Sequence, residues 1–279
     1  MMDPQTQTWS IGMLHFAIDI AGPAAGEAVL LLHGFPQNRR MWRHQLSALS
    51  AAGFRALAPD QRGYSAGARP AGIEAYATDL LQRDALAMMD AIGAQRFHLV
   101  GHDWGGQLAW LIAAANPDRV ETLSVLSRPH PAAFALALAE DPEQAKRSEH
   151  HRGFRRREAI EQLRKDNFSS LRRGLVREGI ADPDIYLSPL DEAGALEAAI
   201  NWYRASDIAL SAIPAVSMPT LYVWGTADAS VGRRAAESPR QFVQGPYEFV
   251  EVEGAGHFIV DQMPDRVAQM LIAHLWRTR

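Results

Sequence analysis

The 279 residues carry 28 Lys or Arg against 32 Asp or Glu, a net charge of -4, and 47% hydrophobic residues. That hydrophobic share fills the interior of one large α/β domain or of a core with an insertion. The charge leaves no overall footprint for nucleic acid or an anionic membrane, and the absence of cysteine excludes disulfides, thiol catalysis and thiolate metal sites.

The stretch Met1 to Thr8 is polar and lacks the pattern of a signal peptide, and no run approaches a membrane span, so a cytoplasmic protein is expected. Leu14, Phe16, Ile18 and Ile20 alternate with His15, Ala17 and Asp19, which predicts a strand with one buried face, an antiparallel edge. Ala28 to Leu32 is apolar throughout, as in a strand covered on both sides, and ends at His33-Gly34-Phe35-Pro36. A helix over about 41–52 and a strand over 54–58 lead to Pro59-Asp60-Gln61-Arg62-Gly63-Tyr64, where Asp60 and Arg62 are expected to form a structural ion pair. An amphipathic helix over about 76–92 follows, with Leu80, Leu81, Ala85, Met88 and Met89 at helical spacing.

Phe97 to Val100 then reads as a strand, Gly101-His102-Asp103-Trp104-Gly105-Gly106 as a sharp turn, and Gln107 to Ala115 as a helix apolar nearly all round. This is the context of a nucleophile elbow, whose flanking glycines let strand and helix close around the nucleophile. After the strand 120–126 the alternation stops, and 128–216 reads as helical throughout, a lid opening at Pro129-His130-Pro131. Strands over 220–224 and 247–252 and a final helix over 266–276, capped by Pro264 and Asp265, complete the chain. The expected architecture is α/β: a mostly parallel central sheet flanked by helices, formed by residues 1–127 and 217–279, with a helical cap of residues 128–216 inserted between strands. Between Lys146 and Arg177 the cap holds eleven Lys or Arg against four Asp or Glu, which we read as a solvated helix face because no stacking aromatics are interleaved.

An aspartate at the elbow narrows the chemistry. The Asp103 carboxylate is ionised at neutral pH and needs no base to attack. Attack on an acyl group would only exchange anhydrides, whereas attack at a saturated carbon with a strained or departing heteroatom gives a stable alkyl ester. Hydrolysis of that ester needs a general base and an oxyanion site. The base is assigned to His257, in the glycine-bracketed loop Glu253-Gly254-Ala255-Gly256-His257-Phe258, and its acid partner to Asp228 in Trp224-Gly225-Thr226-Ala227-Asp228. The strand before the lid ends Ser127-Arg128 and offers no alternative carboxylate. The order nucleophile, acid, histidine is that of the α/β-hydrolase fold. The expected oxyanion donors are the backbone N–H groups of Trp104 and Phe35, while His33 is read as structural.

Together, His33-Gly34-Phe35-Pro36, Asp60-Gln61-Arg62-Gly63-Tyr64, Gly101-His102-Asp103-Trp104-Gly105-Gly106, Asn201-Trp202-Tyr203-Arg204 and Gly256-His257-Phe258 resemble the soluble epoxide hydrolases of the α/β-hydrolase superfamily. The likeness covers nearly the whole chain. It implies a small-molecule epoxide and water as substrates, no cofactor or metal, no nucleic-acid or membrane partner, and a monomer or homodimer. In that family two lid tyrosines hold and protonate the epoxide oxygen. Tyr203 matches one, and alignment on Phe154 puts His150 at the other, a His/Tyr pair similar to that of a virulence-associated branch of bacterial epoxide hydrolases. Phe35, Trp104, Trp202 and Phe258 are the expected substrate-binding side chains.

The near alternative is a haloalkane dehalogenase, which shares the Asp nucleophile and binds halide through a tryptophan placed as Trp104 is. It needs a second halide donor, for which Trp202 is the candidate because Phe35 replaces the usual asparagine. Fluoroacetate dehalogenases clamp a carboxylate with arginines where this chain has Trp104 and Gln107. A non-catalytic ligand-binding protein on the same scaffold is expected to have a broken triad, and this triad is complete.

Overall fold

The computed structural model describes residues 4–206 and 213–277. Eight strands form one sheet in the order β1-β2-β4-β3-β5-β6-β7-β8: β1 Gln5–Ile11, β2 Leu14–Ala21, β3 Ala28–Leu32, β4 Arg55–Pro59, β5 Phe97–His102, β6 Val120–Leu126, β7 Thr220–Gly225 and β8 Tyr247–Val252. From β4 to β8 every pairing is parallel, while β2 runs antiparallel to both β1 and β4. Every residue of β3, β5 and β7 is buried, which is why their sequences show no polar face.

Two expectations change at the start of the chain. The strand over 14–20 is not the edge, because β1 covers it in the register Gln5↔Ile20 to Ile11↔Leu14. β1 is polar and largely exposed, so it carries no core-facing period and is held by ladder pairing. Residues 1–3 of the polar leading stretch lie outside the described residues.

Helices α1 Arg43–Ala51, α2 Thr78–Ala91 and α3 Trp104–Ala115 match the predicted segments. Leu81, Ala85, Met88 and Met89 form the buried face of α2, and Leu80 stands at its margin. Nine of the twelve α3 residues are buried, as a helix at the centre of the sheet requires. The ion pairing of the 59–64 loop differs from expectation. Asp60 takes the backbone N–H and guanidinium of Arg39, whereas Arg62 makes a two-pronged contact with Asp84 of α2, at 2.6 and 2.8 Å. Two separate pairs therefore fix this loop, one to each neighbouring segment.

Between β6 and β7 the described residues form six helices: α4 Pro131–Glu140, α5 Pro142–Arg147, α6 Glu149–Phe154, α7 Ala159–Arg177, α8 Asp184–Leu190 and α9 Ala195–Ala205. The axis of α7 is broken at 165–168, where Asp166, Asn167 and Phe168 have left-handed backbones. Residues 207–212 of the expected helical stretch lie outside the described residues. The chain ends with α10 Arg233–Glu237, α11 Ile259–Gln262 and α12 Pro264–Trp276. Pro264 occupies the first helical position of α12 and Asp265 its first turn; neither supplies a capping bond. Because β3 through β8 are parallel, the loops after β3, β5, β7 and β8 emerge at one edge of the sheet, with α6, α7 and α9 above them.

Candidate active site

Asp103 sits between β5 and α3 with φ 52° and ψ -120°, a conformation that L side chains rarely adopt. The neighbouring glycines make it possible. A Cβ on Gly101 would stand 2.3 Å from the Gly105 carbonyl oxygen, and one on Gly105 would stand 2.1 Å from that of Leu32. The turn brings the carboxylate to the Phe35 N–H, which donates to its Oδ1 at 3.0 Å. The backbone N–H of Trp104 opens α3 and is one of the amides a helix leaves free for a ligand or oxyanion.

His257 faces Asp103 from the loop after β8, with Nε2 3.5 Å from Asp103 Oδ2 and Nδ1 3.1 Å from both Asp228 oxygens. Asp228 is anchored in turn, its Oδ1 accepting the N–H groups of Ser230 and Val231 at 2.7 and 2.9 Å. Burial works against the charged imidazole, but Asp228 first and then Asp103 outweigh it and raise His257 to about 10. Burial likewise opposes the Asp103 carboxylate, yet its contact with His257 holds it below the usual carboxylate range. The same contact thus favours the imidazolium of His257 and the carboxylate of Asp103 together.

Three supports of His257 carry no motif. The His102 Nε2–H donates to the His257 carbonyl at 2.8 Å, and burial lowers this imidazole to about 4. Glu178, at the end of α7, accepts the His257 backbone N–H at 3.1 Å. The Arg147 guanidinium donates to the Asp228 carbonyl at 2.9 Å. The signal in the sequence was faint: Leu171, Gly174, Leu175 and Glu178 share one helical face, but their spacing does not reveal what that face meets. His33 is structural, as expected, its Nε2 accepting the Gln61 N–H at 3.2 Å while burial lowers it to about 3.

A cavity of about 240 Å³ opens onto Asp103 and His257. Phe35, Phe154, Leu171, Leu175 and Phe258 give it apolar walls, and Tyr203, His150 and Glu178 are among its polar lining. Tyr203, on α9, packs edge-on against Phe35, Phe154 and Trp104 with ring centroids 5.7, 4.9 and 5.0 Å apart. Burial, and then the Asp103 charge, push its phenol well above 10, so it stays protonated.

Neither expected tryptophan wall lines the cavity. Trp202 points toward the scaffold, donating its indole N–H to the Arg62 carbonyl at 2.8 Å and packing against His33 and Tyr64. On a helix, residues 202 and 203 are about 100° apart, so presenting Tyr203 to the cavity turns Trp202 away. Trp104 is buried behind Tyr203. His150 does line the cavity, with Nδ1 3.0 Å from the Arg147 carbonyl, while His151 is buried with its ring centroid 5.1 Å from that of Tyr203.

Residues 27–264 match the family described as "alpha/beta hydrolase fold". Epoxide hydrolase A of Mycobacterium tuberculosis is 33% identical, over 91% of this chain and 92% of the relative. An α/β-hydrolase superfamily protein of Bacillus subtilis is 32% identical over 94% of each. The chain belongs to the epoxide hydrolases of the α/β-hydrolase superfamily. Among solved structures, a metagenomic epoxide hydrolase from a hot environment superimposes with a TM-score of 0.87 at 30% identity, covering 98% of this chain and 99% of that one. The Bacillus megaterium epoxide hydrolase gives the same TM-score at 26% identity, over 96% and 99%. Among the described residues no helix is long and apolar enough to cross a membrane.

Proposed function

We propose that this hydrolase opens epoxides to vicinal diols through an ester on Asp103, with residues 128–216 acting as a cap that supplies the acid side of the reaction. The observation that carries the proposal is the pairing across one cavity of a carboxylate nucleophile with a protonated Tyr203. An Asp103 oxygen attacks an epoxide carbon, the carbon–oxygen bond breaks, and the epoxide oxygen takes the Tyr203 proton, since the leaving alkoxide is too basic to depart unaided. Ester formation removes the Asp103 charge that helps hold the proton on His257. The imidazolium then releases its proton to re-form the Tyr203 phenol and becomes the base for the second step.

Neutral His257, oriented by Asp228, takes a proton from water as the water oxygen attacks the Asp103 carbonyl carbon. The N–H groups of Phe35 and Trp104 receive the oxyanion. Collapse breaks the ester bond, the diol leaves with a proton from the carboxyl group, and the ionised Asp103–imidazolium pair is restored. No metal or organic cofactor enters this sequence.

His150 is proposed as a second contact to the epoxide oxygen. A carbonyl can only accept, so Nδ1 holds the hydrogen in its contact with Arg147. The neutral ring then presents a bare Nε2, and His150 donates to the epoxide only as an imidazolium. Burial lowers its pKa, so its help grows as pH falls.

The dehalogenase reading is disfavoured because the Trp202 N–H, its second halide donor, is bonded to Arg62. The test is to offer racemic aryl and alkyl epoxides beside haloalkanes and measure diol and halide. Diol formation is expected; halide release without epoxide opening would reverse the assignment. We further propose a cytoplasmic protein that is a monomer or a homodimer, which fractionation and sedimentation read.

A further inference from the structure

One buried charge has no place in the mechanism above. Arg128 follows β6 at the start of the chain's excursion into the helical segment, and it is 4% exposed. Its Nε and Nη2 both donate to the Gln107 side-chain oxygen, at 3.0 and 2.8 Å, and its guanidinium lies 4.2 Å over the Phe134 ring. Among the described residues it has no carboxylate within ion-pair distance. Among the described residues that guanidinium meets only a neutral amide and an aromatic face, and a buried charge so placed is costly.

The surroundings identify that charge. Arg128 packs on the first turn of α3: a Cβ on Gly106 would stand 2.8 Å from its own Cβ, and the Gln107 backbone N–H donates to the Asp103 carbonyl. Burial weakens the guanidinium, and the acidic groups that counter this are Asp103 first, then Tyr203 and Tyr222. The two leading partners are the groups between which negative charge moves in the reaction. The charges of the buried triad also balance only when Arg128 is included: Asp103 and Asp228 against imidazolium His257 and Arg128. Glu178 and Arg147 stand at its rim.

We propose that Arg128 is a further positioning residue of the reaction, a fixed buried counter-charge that favours negative charge on the Asp103 carboxyl group and, in the ester, favours its return there as the oxyanion of hydrolysis. This rests on the epoxide reading above. In ester formation the charge passes from Asp103 to the Tyr203 oxygen, and both lie in the field of Arg128, so the gain at one site offsets the loss at the other. In hydrolysis a neutral ester becomes an oxyanion at Asp103 while the matching positive charge forms on His257, whose leading charged partners are Asp228 and Asp103, so the field of Arg128 acts chiefly on the oxyanion and the offsetting loss is small. Its removal therefore falls mainly on the second step.

The experiment compares Arg128→Met, Arg128→Lys and the double variant Arg128→Met/Gln107→Leu, which avoids stranding the Gln107 carbonyl oxygen. Single-turnover reaction with styrene oxide is quenched over time, and the elbow peptide is weighed for the ester. Both methionine variants are expected to slow ester decay about tenfold, less than loss of a direct oxyanion donor. The ester then accumulates, and kcat and KM fall together. Arg128→Lys keeps the charge but loses the two-pronged contact and the stacking, so it is expected to recover part of the loss, with ester decay faster than in either methionine variant.

Wild-type ester decay in both methionine variants overturns the proposal, and so does a lysine variant as slow as methionine. A wild-type protein that never forms the ester overturns the epoxide reading itself, and this inference with it.

Discussion

Asp103→Asn should return His257 to an ordinary histidine. In the folded protein its Nε2 lies 3.5 Å from an Asp103 oxygen, and its pKa is raised to about 10. At an effective dielectric of about 20, unit charges at that distance attract by about 4.7 kcal/mol, or about 3.5 pH units. Asparagine keeps the shape and removes the charge, so the His257 midpoint is expected at about 6.5, with Asp228 still bonded to Nδ1. The assay is an NMR titration with ring-labelled histidine, in which the buried His33 and His102 remain neutral and mark the background. The direction of the pH effect follows. A group raised by a partner loses its proton at lower pH once that partner is neutral, and esterified Asp103 is neutral in the same way. Ester hydrolysis should therefore rise with pH through about 6.5 and then level. If His257 in the variant still holds its proton at pH 9, Asp103 does not control it, and ester formation cannot be what makes it a base.

Four further outcomes are expected. Tyr203→Phe should slow ester formation by roughly 100-fold or more, read as the single-turnover rate with little change in ester decay. His150→Tyr should abolish the acid-favoured part of the pH profile of ester formation, because a phenol donates without titrating below neutral pH; an unchanged profile would remove His150 from the ring-opening step. Glu178→Ala frees the His257 N–H from its carboxylate and should slow ester decay while lowering stability by about 1–2 kcal/mol, seen by denaturant unfolding. Gly105→Ala places a methyl group 2.1 Å from the Leu32 carbonyl oxygen and should cost 3 kcal/mol or more, roughly, enough to remove soluble protein.

What could be read from the sequence follows physical rules that act locally. A strand buried on both faces, such as Ala28–Leu32, announces itself because every position is apolar, and Phe97–His102 does so less completely, since it also buries His98 and His102. The elbow does so because only glycine fits at 101 and 105. Asp103, Asp228 and His257 stand within bonding reach, as their positions after the parallel strands β5, β7 and β8 implied. The strand Gln5–Ile11 was illegible because it is stabilised by backbone pairing, which leaves no mark on side-chain type. The partners of Asp60 and Arg62 were misread because adjacency in a loop says little about direction; the two side chains reach Arg39 and Asp84 instead. Trp202 was misplaced for a related reason, its neighbour Tyr203 having taken the cavity face of the helix. Glu178, His102 and Arg128 support the site through contacts between distant segments, which no local spacing encodes.

The covalent step is the centre of this account, and oxygen labelling tests it most directly. One turnover of excess enzyme with an epoxide in heavy-oxygen water is followed by digestion and mass measurement of the peptide containing Asp103. Because water attacks the ester carbonyl and not the epoxide, the account predicts one heavy oxygen in Asp103 and an unlabelled diol. Label found only in the diol would mean that water opens the ring itself, and would contradict the role given to Asp103.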